Sequence, residues 1–222
     1  MRCSECGFDL SESDTGCPNC GAGQRPDPDN HFKAAMDSVA SNDLEGAIDL
    51  LERCLEGNPE HLTGRFNLGV ALSLADKCDE AIGHLYYVLT QDESYPGIYT
   101  ALGEAAFGSY LYHEEQASMK SVVMIELFRR GIEQDQQDVD AYFSLGNAYV
   151  ALGMGEEALS CLKSAMALDP ESSAIHYVMA RAFMMTGKFG EAKLMARKAL
   201  DLAAPSDQFL GDIESLLTEI QR

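Results

Sequence analysis

The 222 residues carry 36 Asp and Glu against 16 Lys and Arg, a formal charge of −20, which repels a phosphate backbone; with no basic cluster along the chain, nucleic-acid binding is not expected. A hydrophobic share of 46% supports one or two domains or a repeat array and excludes a compositionally disordered chain. Met1 and Arg2 lead straight into Cys3, and no stretch approaches the roughly 18 apolar residues of a membrane span, so no membrane association is expected and the expected compartment is the cytoplasm.

The chain opens on Cys3-Ser4-Glu5-Cys6-Gly7 and Cys17-Pro18-Asn19-Cys20-Gly21, two CxxC pairs separated by ten residues. Each pair grips a metal from two adjacent corners of a tetrahedron, and the glycine after it permits the tight turn that brings both sulfurs inward. Seven cysteines so grouped argue for metal rather than disulfides. The segment 1–24 resembles the short zinc-ribbon modules found at the start of many bacterial proteins. That resemblance implies one structural zinc on Cys3, Cys6, Cys17 and Cys20. Iron held as in rubredoxin uses the same knuckles but with many more residues between them, and four thiolates leave no open position for catalysis. Phe8 and Leu10 are the only large apolar side chains here, so metal binding would supply the folding energy. Glu5, Asp9, Glu12 and Asp14 against Arg2 and Arg25 oppose a nucleic-acid role for the ribbon.

Residues 25–30, Arg25-Pro26-Asp27-Pro28-Asp29-Asn30, read as a stiff polar linker that ends in a capping Asp29 or Asn30. Helical periodicity is expected from His31, through Ala35, Met36 and Val39, pausing at Ser41-Asn42-Asp43 and resuming through Ala47, Ile48, Leu51, Cys54 and Leu55 to Asn58-Pro59. A second helical pair starts near Leu62, with Leu68, Gly69 and Leu72, then Ala81, Ile82, Leu85 and Val88. A third starts near Pro96, with Tyr99, Leu102, Gly103 and Ala106. Its second helix is recognisable only from Met124 through Ile125, Phe128, Gly131 and Ile132, which places an insertion around 108–121. That extra length either extends both helices or forms a protruding turn.

The most regular unit is Val139–Ser172, 34 residues long. Tyr142, Leu145, Gly146 and Tyr149 lie in its first half and Ala158, Leu162, Ala165 and Pro170 in its second. A fifth pair follows from Ser173 with His176, Met179, Ala180 and Phe183, then Ala192, Ala196 and Ala199, ending at Pro205. Ser206 or Asp207 can cap a last helix, 206–222, carrying Phe209, Leu210, Ile213, Leu216, Leu217 and Ile220 on one side. A period near 34 residues built from two helical patterns signals a stacked solenoid, since one hairpin cannot bury its own apolar face.

On these residues the chain resembles the tetratricopeptide repeat family, whose pattern places an aromatic at position 4, Leu-Gly at 7 and 8, Tyr at 11, Ala at 20, a large apolar residue at 24, Ala at 27 and Pro at 32. The resemblance implies an all-α solenoid of about five repeats over 31–205 with a C-terminal capping helix. It also implies a concave face drawn from positions 2, 5, 9 and 12 of each first helix. Carried over, position 5 gives Phe32, Phe66, Thr100, Phe143 and Tyr177; position 9 gives Met36, Val70, Glu104, Asn147 and Arg181; position 12 gives Val39, Ser73, Phe107, Val150 and Met184. The set Phe32, Met36, Phe66, Val70, Phe143, Asn147, Tyr177, Arg181 and Met184 is the expected partner-binding surface, an apolar groove with a few polar registers for an extended or helical peptide. The other reading of the recurring aromatics is that some of them pack between adjacent first helices. The two-carboxylate clamp of some family members is not matched: Asn67 occupies one of its positions, while Phe32, Met36, Gly97 and Ala101 hold others.

A second candidate surface is the concentration of Tyr86, Tyr87, Tyr95, Tyr99, Tyr110 and Tyr112, whose alternative is a junction made irregular by the insertion. The five histidines are dispersed without HxxxH spacing, and no phosphate loop or nucleophile elbow is present. The expected function is a non-enzymatic adaptor that binds a protein partner, with the zinc ribbon as a second docking module. The alternatives are a regulatory subunit docked to an enzyme or nucleic-acid complex through the ribbon, and a homo-oligomer.

Overall fold

The computed structural model describes residues 9, 28–112, 117–204 and 209–220. Eleven helices lie among them: α1 (Pro28–Ala40), α2 (Leu44–Gly57), α3 (Leu62–Leu74), α4 (Cys78–Gln91), α5 (Ile98–Tyr112), α6 (Ala117–Gln134), α7 (Val139–Ala151), α8 (Gly155–Leu168), α9 (Ser173–Met185), α10 (Phe189–Leu202) and α11 (Leu210–Ile220). They divide into two compact units, one reaching to Ala101 and the other starting at Leu102. The four cysteines of the expected ribbon, and the capping residues Ser206 and Asp207, lie outside the described residues.

Within the first unit α1 packs on α2, α2 on α3 and α3 on α4; within the second the same succession runs from α6 to α11, with α7 also touching α9. The small residues at positions 8, 20 and 27 allow this. Ala35, Ala47 and Cys54 in the first repeat, and Ala180, Ala192 and Ala199 in the fifth, are fully buried. Where position 8 is glycine, the residue at position 24 of the same repeat fills the space: a Cβ on Gly69 would meet Leu85, on Gly103 Phe128, and on Gly146 Leu162, all at 2.6 Å. In the third repeat the residue that fills this space, Phe128, stands nine positions later than Leu85 and Leu162 do in theirs.

The hairpins of the first, second, fourth and fifth repeats turn on three residues with the same geometry. The middle residue is left-handed at Asn42 (φ 60), Asp76 (φ 60), Gly153 (φ 80) and Gly187 (φ 72). The residue after it donates its N–H across the turn, Asp43 to Ser38 O, Lys77 to Leu72 O, Met154 to Tyr149 O and Lys188 to Phe183 O, each at 2.9 Å. This closes the first helix as a Schellman motif. The connections between repeats are equally uniform: Asn58, Asp92, Asp135 and Asp169 each accept a backbone N–H two residues on, from Glu60, Ser94, Gln137 and Glu171. An Asx turn thus leads into the next repeat.

Helix α1 begins at Pro28, three residues before the expected His31. Counted back from Ala35 at position 8, Pro28 is position 1 of its repeat, where a fixed φ and a missing N–H suit the first turn. The extra length of the third repeat extends its helices: α5 has 15 residues and α6 has 18, against 13 and 14 in α7 and α8. Helix α11 buries Ile213 and Leu216, and Leu216, Leu217 and Ile220 cover Ala180 and Ala196.

Candidate functional site

In the first unit Phe32 and Met36 of α1 and Phe66 and Val70 of α3 are all half-buried. Both rings have an aromatic neighbour in the turn that leads into the next first helix. Phe32 lies 5.1 Å from His61, and Phe66 lies 5.0 Å from Tyr95. These tilted pairs fix the orientation of each phenyl ring and leave part of it open. His61 also caps α3, its Nδ1 accepting from the Gly64 N–H at 2.8 Å, with Nε2 3.7 Å from Asp29 Oδ1. Any Cβ at Gly64 would stand 2.9 Å from that Nδ1 and 3.3 Å from Cys54 Sγ, which accounts for the glycine.

Beside this row the Arg65 guanidinium lies 4.1 Å over the Tyr87 ring and donates through Nη2 to Pro59 O at 2.6 Å. The Tyr87 hydroxyl donates to Glu60. Arg65 Nε and His84 Nδ1 are buried without a hydrogen-bond partner. Burial, and then the Arg65 charge, push the His84 pKa down, which favours the neutral imidazole.

In the second unit Phe143 and Asn147 of α7 and Tyr177, Arg181 and Met184 of α9 are likewise half-buried. Phe143 packs against the core formed by α6, α7, α8 and α9. Tyr177 lies 5.6 Å from Phe209, and the Arg181 guanidinium lies 5.8 Å from the Tyr177 ring centre. Burial raises the Tyr177 pKa, Arg181 opposing. Met184 packs on the Ala180, Ala196 and Leu216 cluster. Two carboxylates join this row. The Ser144 hydroxyl donates to Glu104 Oε1 at 3.1 Å, linking α5 to α7. Glu104 keeps an exposed side, yet loss of solvent around its carboxyl raises the pKa; the Ser144 bond opposes this, while Asp140 and Asp138 add to it. Asp140 is raised as well, by burial and then by Asp138. Asp140 stands at position 2 of its repeat, outside the set drawn from positions 5, 9 and 12.

The sequence pattern names these half-buried side chains in each unit, but not His61, Tyr95 and Phe209, the rings that meet Phe32, Phe66 and Tyr177. The available signal was their place: His61 and Tyr95 are each the last residue of a 34-residue period. The tyrosine concentration is largely engaged within the first unit. Tyr99 is buried and donates to Glu93, Tyr95 meets Phe66, Tyr87 holds Arg65, and Tyr86 is exposed at 60%. Burial raises the thiol pKa of Cys54, Cys78 and Cys161, which keeps them protonated at neutral pH. Among the described residues no three His, Cys, Asp or Glu side chains converge as metal ligands, and no helix is long and apolar enough to cross a membrane.

Residues 32–96 and 155–211 match models of the tetratricopeptide repeat. The chain is similar to the TPR repeat-containing protein YpiA of Bacillus subtilis (strain 168), 26% identical over 151 residues, which is 68% of this chain and 33% of that protein. The match thus spans about a third of that relative's length. Among solved structures it is similar to TTC0263, a thermophilic TPR protein of Thermus thermophilus, with a TM-score of 0.73, 21% identity, and coverage of 87% of this chain and 98% of that one. It is also similar to YrrB, a TPR protein with an unusual peptide-binding site, with a TM-score of 0.58, 19% identity, and coverage of 86% and 92%. Identities this low speak to the fold.

Proposed function

The chain carries tetratricopeptide repeats, and on that premise we propose that it is a non-enzymatic scaffold binding a segment of a partner protein against the first-helix face of one or both units. The observation that carries this reading is that all nine side chains at the expected partner-binding positions are half-buried. Each is ordered by its surroundings yet keeps surface for a ligand, which lowers the entropy cost of docking. The peptide-binding site of YrrB supports the same reading by likeness of fold. The test compares proteins retained by the wild type with those retained by Phe66→Ala, Phe143→Ala, Tyr177→Ala in one chain. Loss of specific partners with helicity intact supports the groove; an unchanged set rejects it. Circular dichroism and thermal unfolding of each single variant check folding, because Phe143 packs on the core and the rings of Phe66 and Tyr177 meet neighbouring turns.

We propose in addition that Cys3, Cys6, Cys17 and Cys20 hold one structural zinc and form a second docking module. The support is the donor set itself, four soft thiolates in two CxxCG turns, which closes a tetrahedral sphere. Metal analysis should return about one equivalent of zinc, lost in Cys17→Ser, Cys20→Ser. Iron, or less than about half an equivalent of zinc, would reject the assignment.

A further inference from the structure

The row in the second unit is not uniformly apolar. Glu104 of α5 and Asp140 of α7 flank Ser144, and Phe143 sits one helical turn after Asp140 on the same face of α7. The Ser144 bond at 3.1 Å holds the Glu104 carboxylate across from α7. Neither carboxylate has an ion-pair partner among the described residues. Several cations of the second unit are engaged elsewhere: Arg129 donates to the Tyr149 hydroxyl, Arg130 pairs with Glu126, Lys188 with Glu156, and Arg181 lies against Tyr177. Loss of solvent raises the pKa of both carboxyls, with Asp140 and then Asp138 adding to it at Glu104 and Asp138 adding to it at Asp140.

Resting on the peptide-binding reading above, we infer that the face formed by Glu104, Asp140 and Phe143 takes a partner segment in which a lysine or arginine stands beside an apolar side chain. Charge complementarity selects this occupant. A cation between the two carboxylates gives each its missing partner, and the half-buried Phe143 receives the adjacent apolar group. A second copy of this chain, itself at −20, is a poor match for the same spot. The register also has a limit: a cation placed further along α9 would meet Arg181, so the preference is local rather than a response to overall charge.

The test uses the full chain and three fluorescein-labelled random peptide pools of one length. Their central pair is Lys-Phe, Gln-Phe or Glu-Phe, and all are balanced to the same net charge at remote positions. Anisotropy titration should show the Lys-Phe pool binding about fivefold tighter than Gln-Phe, and Glu-Phe weakest, the preference shrinking as salt rises. Glu104→Gln, Asp140→Asn should make the Lys-Phe and Gln-Phe pools equivalent. A control that removes the same charge elsewhere, Glu45→Gln, Glu191→Gln, should keep the preference. Phe143→Ala should weaken both pools and leave their ratio. Equal binding of the three pools by the wild type, or a preference that survives Glu104→Gln, Asp140→Asn, overturns the inference while leaving the groove standing. Binding of no pool rejects the groove and the inference together.

Discussion

Gly146 and Leu162 pack so closely that a Cβ on the glycine would stand 2.6 Å from the leucine Cγ. Leu162 is fully buried, and Cγ is a branch point, so the clash is not relieved by swinging a chain end. Gly146→Ala should therefore cost about 1–2 kcal/mol, the net of overpacking against the better helix propensity of alanine. Gly83, in α4, has nothing within 4 Å of its would-be Cβ. There the propensity term acts alone, and Gly83→Ala should stabilise by about 0.5–1 kcal/mol. Urea midpoints of the two variants should move in opposite directions; a shared direction would refute the packing account.

The hairpin turns separate backbone from packing more cleanly. Gly153 is left-handed at φ 80 with open space around it, so Gly153→Ala meets no neighbour and should lose about 1 kcal/mol to backbone strain alone. Asn42 and Asp76 hold the equivalent place at φ 60, which shows that a short polar side chain is tolerated there. Gly153→Asn should accordingly lose about half as much. Thermal unfolding that ranks Asn below Ala would contradict this.

The repeat count, the glycine contacts and the displaced third repeat were legible because each is written in one dimension. Apolar spacing marks the helices, small residues mark their crossings, and Met124 arriving late announces the extra turns. The residues that finish the candidate site were less visible for two physical reasons. His61, Tyr95 and Phe209 fall at or beside turns, where helical periodicity carries no information, and each acts through a ring contact with a residue about 30 positions away. Proline misled in the other direction: Pro28 reads as a helix breaker, yet at the first helical position it lacks only a hydrogen bond that the helix does not make. Glu104 and Asp140 occupy their positions in the pattern, but their pairing depends on α5 lying beside α7, which follows from packing rather than from either helix alone.

His61 joins a cap, a ring contact and an exposed carboxylate, and the parts can be told apart. His61→Ala removes the acceptor for Gly64 N–H and the neighbour of Phe32 at once, and should destabilise the first unit by about 1–2 kcal/mol. His61→Asn supplies a capping oxygen but no ring. It should recover the capping share, about 1 kcal/mol, and leave Phe32 less restrained. Chemical denaturation measures the first effect, and aromatic ring relaxation of Phe32 the second. An asparagine variant no more stable than the alanine variant would show that the cap contributes nothing.

Glu104 gives the fold a pH signature whose sign follows from the cause of its shift. Its folded pKa is raised, chiefly by lost solvent, above the ordinary carboxylate value of about 4. The unfolded chain therefore releases this proton first as pH increases. The stability associated with the group is fully present below the ordinary carboxylate range and is lost as pH rises through the folded pKa. Once ionised, Glu104 opposes folding, and the Ser144 bond at 3.1 Å offsets part of this. Glu104→Gln keeps an acceptor for that hydroxyl and cannot ionise. It should be more stable than the wild type at pH 7, with the advantage fading as pH falls toward about 4. Ser144→Ala should do the reverse, lowering stability at pH 7 and little in acid. Urea midpoints across this range decide the matter: a glutamine variant less stable than the wild type at pH 7, or a difference that does not change with pH, would mean that Glu104 is solvated well enough to titrate normally.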